Sequence, residues 1–142
     1  MILPDVNLLL YAKDASSTPH ARARKWLERT LSSAQPVGFC WPVLSGFIRI
    51  ATHHKLHKRP LSLADATETV DEWLRQPCSR VIGPTNRHWE EFQRQLIFVH
   101  ASGNLVSDAT LAALSVEHQA TIYSSDSDFS LFPHIRWVNP LD

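Results

Sequence analysis

The sequence predicts an α/β fold with a central, mainly parallel sheet. Short runs rich in apolar and β-branched residues alternate with longer segments of helical period along all 142 residues. Strands separated by helices need crossover connections, and crossovers pair strands in parallel. Many of the nine prolines fall near element ends, and no repeat, low-complexity tract or linker interrupts the alternation. Residues 1–142 therefore read as a single domain. A chain of this length hides roughly 68–70% of its unfolded surface on folding, enough for a real core.

The elements follow in order. "MIL" is a short apolar strand that Pro4 and Asp5 break. "VNLLLYAKD" supplies one or two helical turns. Residues 20–33, "HARARKWLERTLSS", follow Thr18-Pro19, a helix start. Ala23, Trp26, Leu27 and Thr30 share one side of that helix, and Arg22, Arg24, Lys25 and Arg29 lie largely on others. "PVGFCW" (36–41) reads as the second strand. From Pro42, helical spacing appears at Val43, Phe47, Ile50 and Ala51. "SLADATETVDEWLRQP" begins with Ser62 as N-cap, with Asp65 in place of the usual Glu or Gln. Pro77 closes it. "SRVIG" is the third strand, "TNRHWEEFQRQLIFVH" a helix and "ASGN" a turn. "LVSDATLAALSVEHQ" is a helix with an apolar stripe at Leu105, Leu111, Ala112 and Leu114. "ATIYS" and "IRWVNP" are the fourth and fifth strands.

Composition narrows the function classes. Lys plus Arg (14) equals Asp plus Glu (14), so no global field advertises a nucleic-acid partner. No apolar run reaches the ~18 residues of a membrane span. The stretch "MILPDVNLLLYAKD" has no positive leader and carries Asp5 among its apolar residues, unlike a signal peptide. Cys40 and Cys78 lie far apart and form no metal or redox motif. They read as reduced thiols of a cytoplasmic protein.

The chemistry sits on acids. In open α/β sheets, ligands bind outside the carboxyl ends of the strands. Asp5 follows the first strand, and Asp126 and Asp128, in "YSSDSDF", follow the fourth. Asp108 lies in the first turn of the helix that leads into the fourth strand. If strands one and four are neighbours, three segments deliver carboxylates to one rim. Each acid alone has a plainer reading. Asp5 suits a helix N-cap, Asp108 complements the helix dipole, and Asp126 or Asp128 suits a turn. Clustered carboxylates, however, repel unless a cation sits between them, and hard oxygen donors suit Mg²⁺ or Mn²⁺. Asn7 is placed to hold the Asp5 carboxylate or to donate to substrate.

With those residues in view, the chain resembles a PIN-domain ribonuclease of the VapC toxin type. The resemblance rests on "ILPDVNLLLYA", "GNLVSDATLAALSVEH" and "IYSSDSDFSLFPHIRWVNPL" and covers essentially the whole chain in order. It implies a three-layer α/β/α PIN-like domain with a parallel sheet. It implies a metal-dependent endoribonuclease acting on RNA of the tRNA or rRNA class, a VapB-type antitoxin that blocks the site, and a homodimer. By position the family's metal-binding acids correspond to Asp5, Asp108 and Asp126, and Asp128 matches the further acid of the final pair. One departure stands out: the Glu that the family pattern carries after the second strand corresponds here to Gly46. A glycine within a helix costs ~1 kcal/mol relative to Ala, which points to a close approach of backbone or RNA.

Cations complete the reading. "HHKLHKRP" (53–60) carries Lys55, Lys58 and Arg59. It is either a solvated helix end or a phosphate-binding rim. The spacing of His53 and His57 also fits a transition-metal site, with no further ligand nearby in sequence. Arg49, close to one turn from Gly46, orients substrate or pairs with an acid. Trp26, Trp73 and Trp89 read as core or dimer contacts, and Trp41 and Trp137 as core. Two other classes compete. A haloacid-dehalogenase or receiver-like phosphotransfer protein would need an acid where Asn7 stands and a late lysine, yet the last lysine is Lys58. A catalytically weakened PIN-like module that only binds RNA or protein is the other, and metal-dependent cleavage separates it from a nuclease.

Overall fold

The computed structural model describes residues 1–142. The strands are β1 (Ile2–Pro4), β2 (Val37–Cys40), β3 (Ser79–Ile82), β4 (Thr121–Tyr123) and β5 (Arg136–Val138). The helices are α1 (Val6–Lys13), α2 (His20–Leu31), α3 (Trp41–Ala51), α4 (Leu63–Leu74), α5 (His88–Val99) and α6 (Asn104–Glu117). A short 3-10 helix, Ser127–Leu131, joins β4 to β5.

The sheet is parallel throughout, in the order β3-β2-β1-β4-β5, with helices flanking it. This is the three-layer α/β/α arrangement that the alternation of elements predicts. The central strands β1 and β2 are buried along their whole length, as apolar strands covered on both faces must be. Crossovers between parallel strands are right-handed. The chain steps one way from β1 to β2 and the other way from β3 to β4, which puts α1–α2 and α5–α6 on opposite faces. The direction reverses between β1 and β4, which pair as Ile2 with Thr121, Leu3 with Ile122 and Pro4 with Tyr123. Strands one and four are therefore neighbours, and the rim beyond them is the ligand crevice of such a sheet.

The core joins these layers. Phe39, Phe47 and Trp73 interlock, with the Phe47 and Trp73 ring centres 4.7 Å apart. α6 is buried around much of its circumference from Leu111 to Ser115, a fuller burial than the stripe its spacing suggests.

Several expectations are corrected. β2 passes into α3 with no residue between, so Trp41 begins a helix and does not end a strand. The reason is Pro42, whose fixed φ suits a first helical turn and whose missing N–H is not needed there. Trp41 is 60% exposed and belongs to no core. Trp89 is also exposed, at 68%, because α5 turns its Glu91 and Gln95 side inward. The 53–60 stretch is a set of turns beyond the end of α3, not a helix end. His57 faces Asp14 at 3.6 Å, and His53 stacks on His54, so these histidines do not converge on a metal.

Phe47 has no exposed surface and bridges α3 to Trp73 on α4. Replacing it by Ala should cost about 3–5 kcal/mol of stability in urea denaturation, with an unchanged denaturant slope.

Candidate active site

The site grows from the β1–β4 pair. Pro4 ends β1 opposite Tyr123, and the next residue on each strand, Asp5 and Ser124, turns to the same rim. The Asp5 backbone N–H donates to the Tyr123 carbonyl at 2.9 Å, and the Asp5 side chain caps α1 by accepting from the Val6 N–H at 2.7 Å. Its other oxygen accepts from the Ser124 hydroxyl at 2.7 Å and from Asn7 Nδ2 at 3.0 Å.

Ser124, which the sequence reading did not single out, is the hub. It is fully buried. A hydroxyl has one proton to give and two lone pairs to fill. Ser124 gives its proton to Asp5 and accepts from Asn7 Nδ2 and from the Asp126 backbone N–H, each at 3.0 Å. Its carbonyl accepts from the Trp137 indole at 2.9 Å, which gives the half-buried Trp137 a partner. The Asn7 side-chain oxygen accepts from the Ser125 N–H at 3.3 Å. The clue was available: a small hydroxyl residue immediately after a strand, two before an acid.

The fourth-strand acids are placed by the turn that follows. Asp126 caps the 3-10 helix and accepts from the Asp128 N–H at 2.9 Å. Asp108 is the fifth residue of α6, beyond the first turn in which the sequence placed it, because the helix starts at Asn104. Side-chain oxygens of Asp108, Asp126 and Asp128 lie within 4.8 Å of one another. This tightest trio exchanges Asp5 of the expected ligand set for Asp128. The Asp5 oxygens are engaged by Val6, Asn7 and Ser124, and Asp5 lines the same cavity as Asp108 and Asp126.

Burial sets the electrostatics. Asp108 Oδ2 is sealed from solvent and has no hydrogen-bond partner. Burial, then the charges of Asp126, Asp5 and Asp128, push the Asp108 carboxyl up to about 6. Burial also raises Asp5, against the pull of the Ser124 and Val6 hydrogen bonds, and the Asp126 charge adds to the rise. An orphaned carboxylate oxygen among further carboxylates is the donor set of a hard divalent cation, so the residues present fit Mg²⁺ or Mn²⁺.

The cavity, about 450 Å³, is lined by Asp5, Asn7, Asp108 and Asp126, and by Gly46 and Arg49 of α3. Arg49 is exposed and forms no ion pair, so of its two expected roles the acid pairing is absent. A Cβ on Gly46 would meet only Val6 Cγ2, at an ordinary 3.6 Å. No backbone approach demands a glycine there; what its missing side chain leaves is room in the cavity. Lys58 and Arg59 are not brought to this site. They line a separate cavity of about 510 Å³ with Lys13, Asp14 and His57, and Lys55 stands exposed on the adjoining turn.

Comparison with known proteins finds relatives across the whole chain. The PIN domain family model matches residues 2–135. The chain is 44% identical over 140 residues to Ribonuclease VapC37 of Mycobacterium tuberculosis, covering 99% of this chain and 97% of that one. It is 40% identical over 142 residues to Ribonuclease VapC43 of the same organism, covering 100% and 97%. Among solved structures, the VapBC2 complex of Rickettsia felis bound to promoter DNA superposes with a TM-score of 0.71 at 15% identity, covering 98% of both chains. The sarcin–ricin loop cleaving toxin VapC20 of M. tuberculosis gives 0.68 at 21%, covering 96% of this chain and 99% of that one.

A raised carboxyl pKa has a defined consequence for stability. Below the ordinary carboxylate value of 3.8, Asp108 is protonated in folded and unfolded chains alike and costs nothing. Between that value and about 6 only the unfolded chain releases the proton, so metal-free stability falls as pH rises, and the penalty is complete above about 6. Asp108→Asn should therefore raise the melting temperature in EDTA at pH 7.5, with the gain vanishing near pH 4. Thermal unfolding across that range checks it, and an equal gain at both pH values would reject the assignment.

Proposed function

The chain belongs to the PIN-domain family and, within it, to the VapC ribonucleases, and from that premise we propose that residues 1–142 act as a single-domain, metal-dependent endoribonuclease toxin. The observation that carries this is the sealed, unpartnered Asp108 oxygen, held among acids delivered by three chain segments at the switch point of the sheet. Asp108, Asp126 and Asp128 would hold Mg²⁺ or Mn²⁺, with Asp5 completing the set. A bound divalent cation supplies charge neutralisation at the phosphate and acidifies water at neutral pH.

The chain's own groups do the rest. Ser124 and Asn7 fix the orientation of the Asp5 carboxylate and hold the Asp126 backbone beside it. Arg49, free of any acid, meets a substrate phosphate at the lip. Lys55, Lys58 and Arg59 contribute affinity to RNA running beyond the site, not chemistry. The substrate class is RNA of the tRNA or rRNA kind, in the cytoplasm. A VapB-type antitoxin silences the enzyme by placing an Arg or Lys among the carboxylates, where a guanidinium pairs bidentately. The toxin works as a homodimer. Gly46 in place of the family's Glu supports a second reading, a PIN-like module that binds RNA and cuts it weakly or not at all.

One assay separates the two. Purified protein is incubated with total RNA in Mn²⁺, Mg²⁺ or EDTA, and the ends are sequenced. The nuclease reading expects defined ends that EDTA abolishes, and a loss of at least about a hundredfold in rate for Asp108→Asn. RNA binding without metal-dependent ends would establish the weakened module.

The basic turn gives an independent test. Neutralising Lys55, Lys58 and Arg59 together should weaken RNA binding and lower the slope of log affinity against log salt by up to about two to three, with the single-turnover rate at saturating RNA unchanged. An unaltered slope would return these residues to plain surface.

A further inference from the structure

Of the two exposed tryptophans, Trp41 and Trp89, only Trp41 is flanked by residues that line the carboxylate cavity. It is the first residue of α3, 60% exposed, and it lies between Cys40 and Pro42, both of which line the carboxylate cavity. A tryptophan in that state leaves a large apolar ring in water, which needs a reason when the helix behind it is well packed. Its neighbours supply one. Trp41, Ser45 and Arg49 are spaced by four, so they form one stripe along α3. All three are exposed, and the last of them reaches the cavity. The stripe offers an aromatic face, a hydroxyl and an unpaired guanidinium in succession. The first turn of α3 carries no acid to repel a phosphate.

We propose that Trp41 is a base-stacking platform: a nucleobase next to the scissile phosphate is splayed out of the RNA and stacked on the indole, while Arg49 holds a neighbouring phosphate. The proposal deepens the nuclease reading and rests on it. Every base has a π-face, so stacking of this kind selects single-stranded, unstacked RNA before it selects sequence. The acidic cavity repels phosphates wherever no cation intervenes, and an apolar contact beside it adds affinity without adding charge. The stripe thus fits a loop or bulge of a folded RNA, whose bases are already unpaired.

The test uses the full chain with Trp41→Ala and Trp41→Phe. Cleavage in Mn²⁺ is followed on a labelled, mixed-sequence single-stranded RNA. Binding is followed separately in EDTA on the 2′-O-methyl form, which can then be cut neither by a metal-activated water nor through its own 2′ oxygen and whose bases still stack. Loss of one base–indole contact should raise KM for Trp41→Ala by roughly fivefold to a hundredfold, with kcat within about twofold. Trp41→Phe should recover most of that loss, and annealing the RNA to its complement should remove the difference between the variants. An unchanged KM, or a change in molar mass by light scattering for Trp41→Ala, overturns the proposal, the latter because Trp41 would then be a contact between copies of the chain. A wild-type protein that binds the 2′-O-methyl RNA through Trp41 yet cuts no RNA would defeat the nuclease reading and leave the platform standing.

Discussion

Repulsion among carboxylates gathered at one rim is the constraint around which the molecule is organised. Asp5, Asp108, Asp126 and Asp128 come from three places in the chain, and nothing apolar draws them together. What holds them is backbone. The β1–β4 pairing fixes where Asp5 and Ser124 emerge, and the Ser124 hydroxyl uses its full bonding capacity to tie Asp5, Asn7 and the Asp126 backbone to one another. A hub with no spare lone pair sets positions closely, because moving any partner leaves a buried polar group unmet. The strain that remains is carried by Asp108, whose sealed oxygen finds no donor within the protein.

The parts of this design legible in the sequence were those governed by short-range rules. Alternating strand and helix patterns give the parallel sheet, and Pro4-Asp5 marks the β1–α1 junction, where Asp5 caps the helix. Asp5 and Asp126 drew notice because each follows a strand, and Asp108 because it lies near the start of the helix that leads into β4. Long-range placement was not. Trp41 looked like the end of an apolar strand, since nothing in "PVGFCWP" says on which side of Cys40 the strand yields to Pro42's preference for a first helical turn. Asp128 looked secondary to Asp5, since only the fold of the 3-10 helix turns it toward Asp108 and Asp126. The basic turn looked like part of the site because sequence distance from α3 is short, whereas Lys58 and Arg59 open on another cavity.

Gly46 shows how a missing group is best understood from the space around it. A glycine required by packing would leave no room for a Cβ; here the nearest atom is at an ordinary contact distance. The position therefore leaves volume in the cavity wall beside the acids. That room does not disturb the packing of α3, which is carried by Val43, Leu44 and Phe47 on its inner side.

The seamless join of β2 to α3 has a consequence for how this chain tolerates changes in length. Each residue of an α-helix turns it by about 100°. One residue inserted between Cys40 and Trp41 would therefore rotate the whole of α3 by that amount, or force it out of register with the sheet. Gly46 and Arg49 would leave the cavity, and Phe47 would leave the core. Added residues in this half of the molecule are accommodated more easily in exposed turns such as 53–60. The wall of the cavity therefore moves as one piece with β2, and the turn beyond it does not share that constraint.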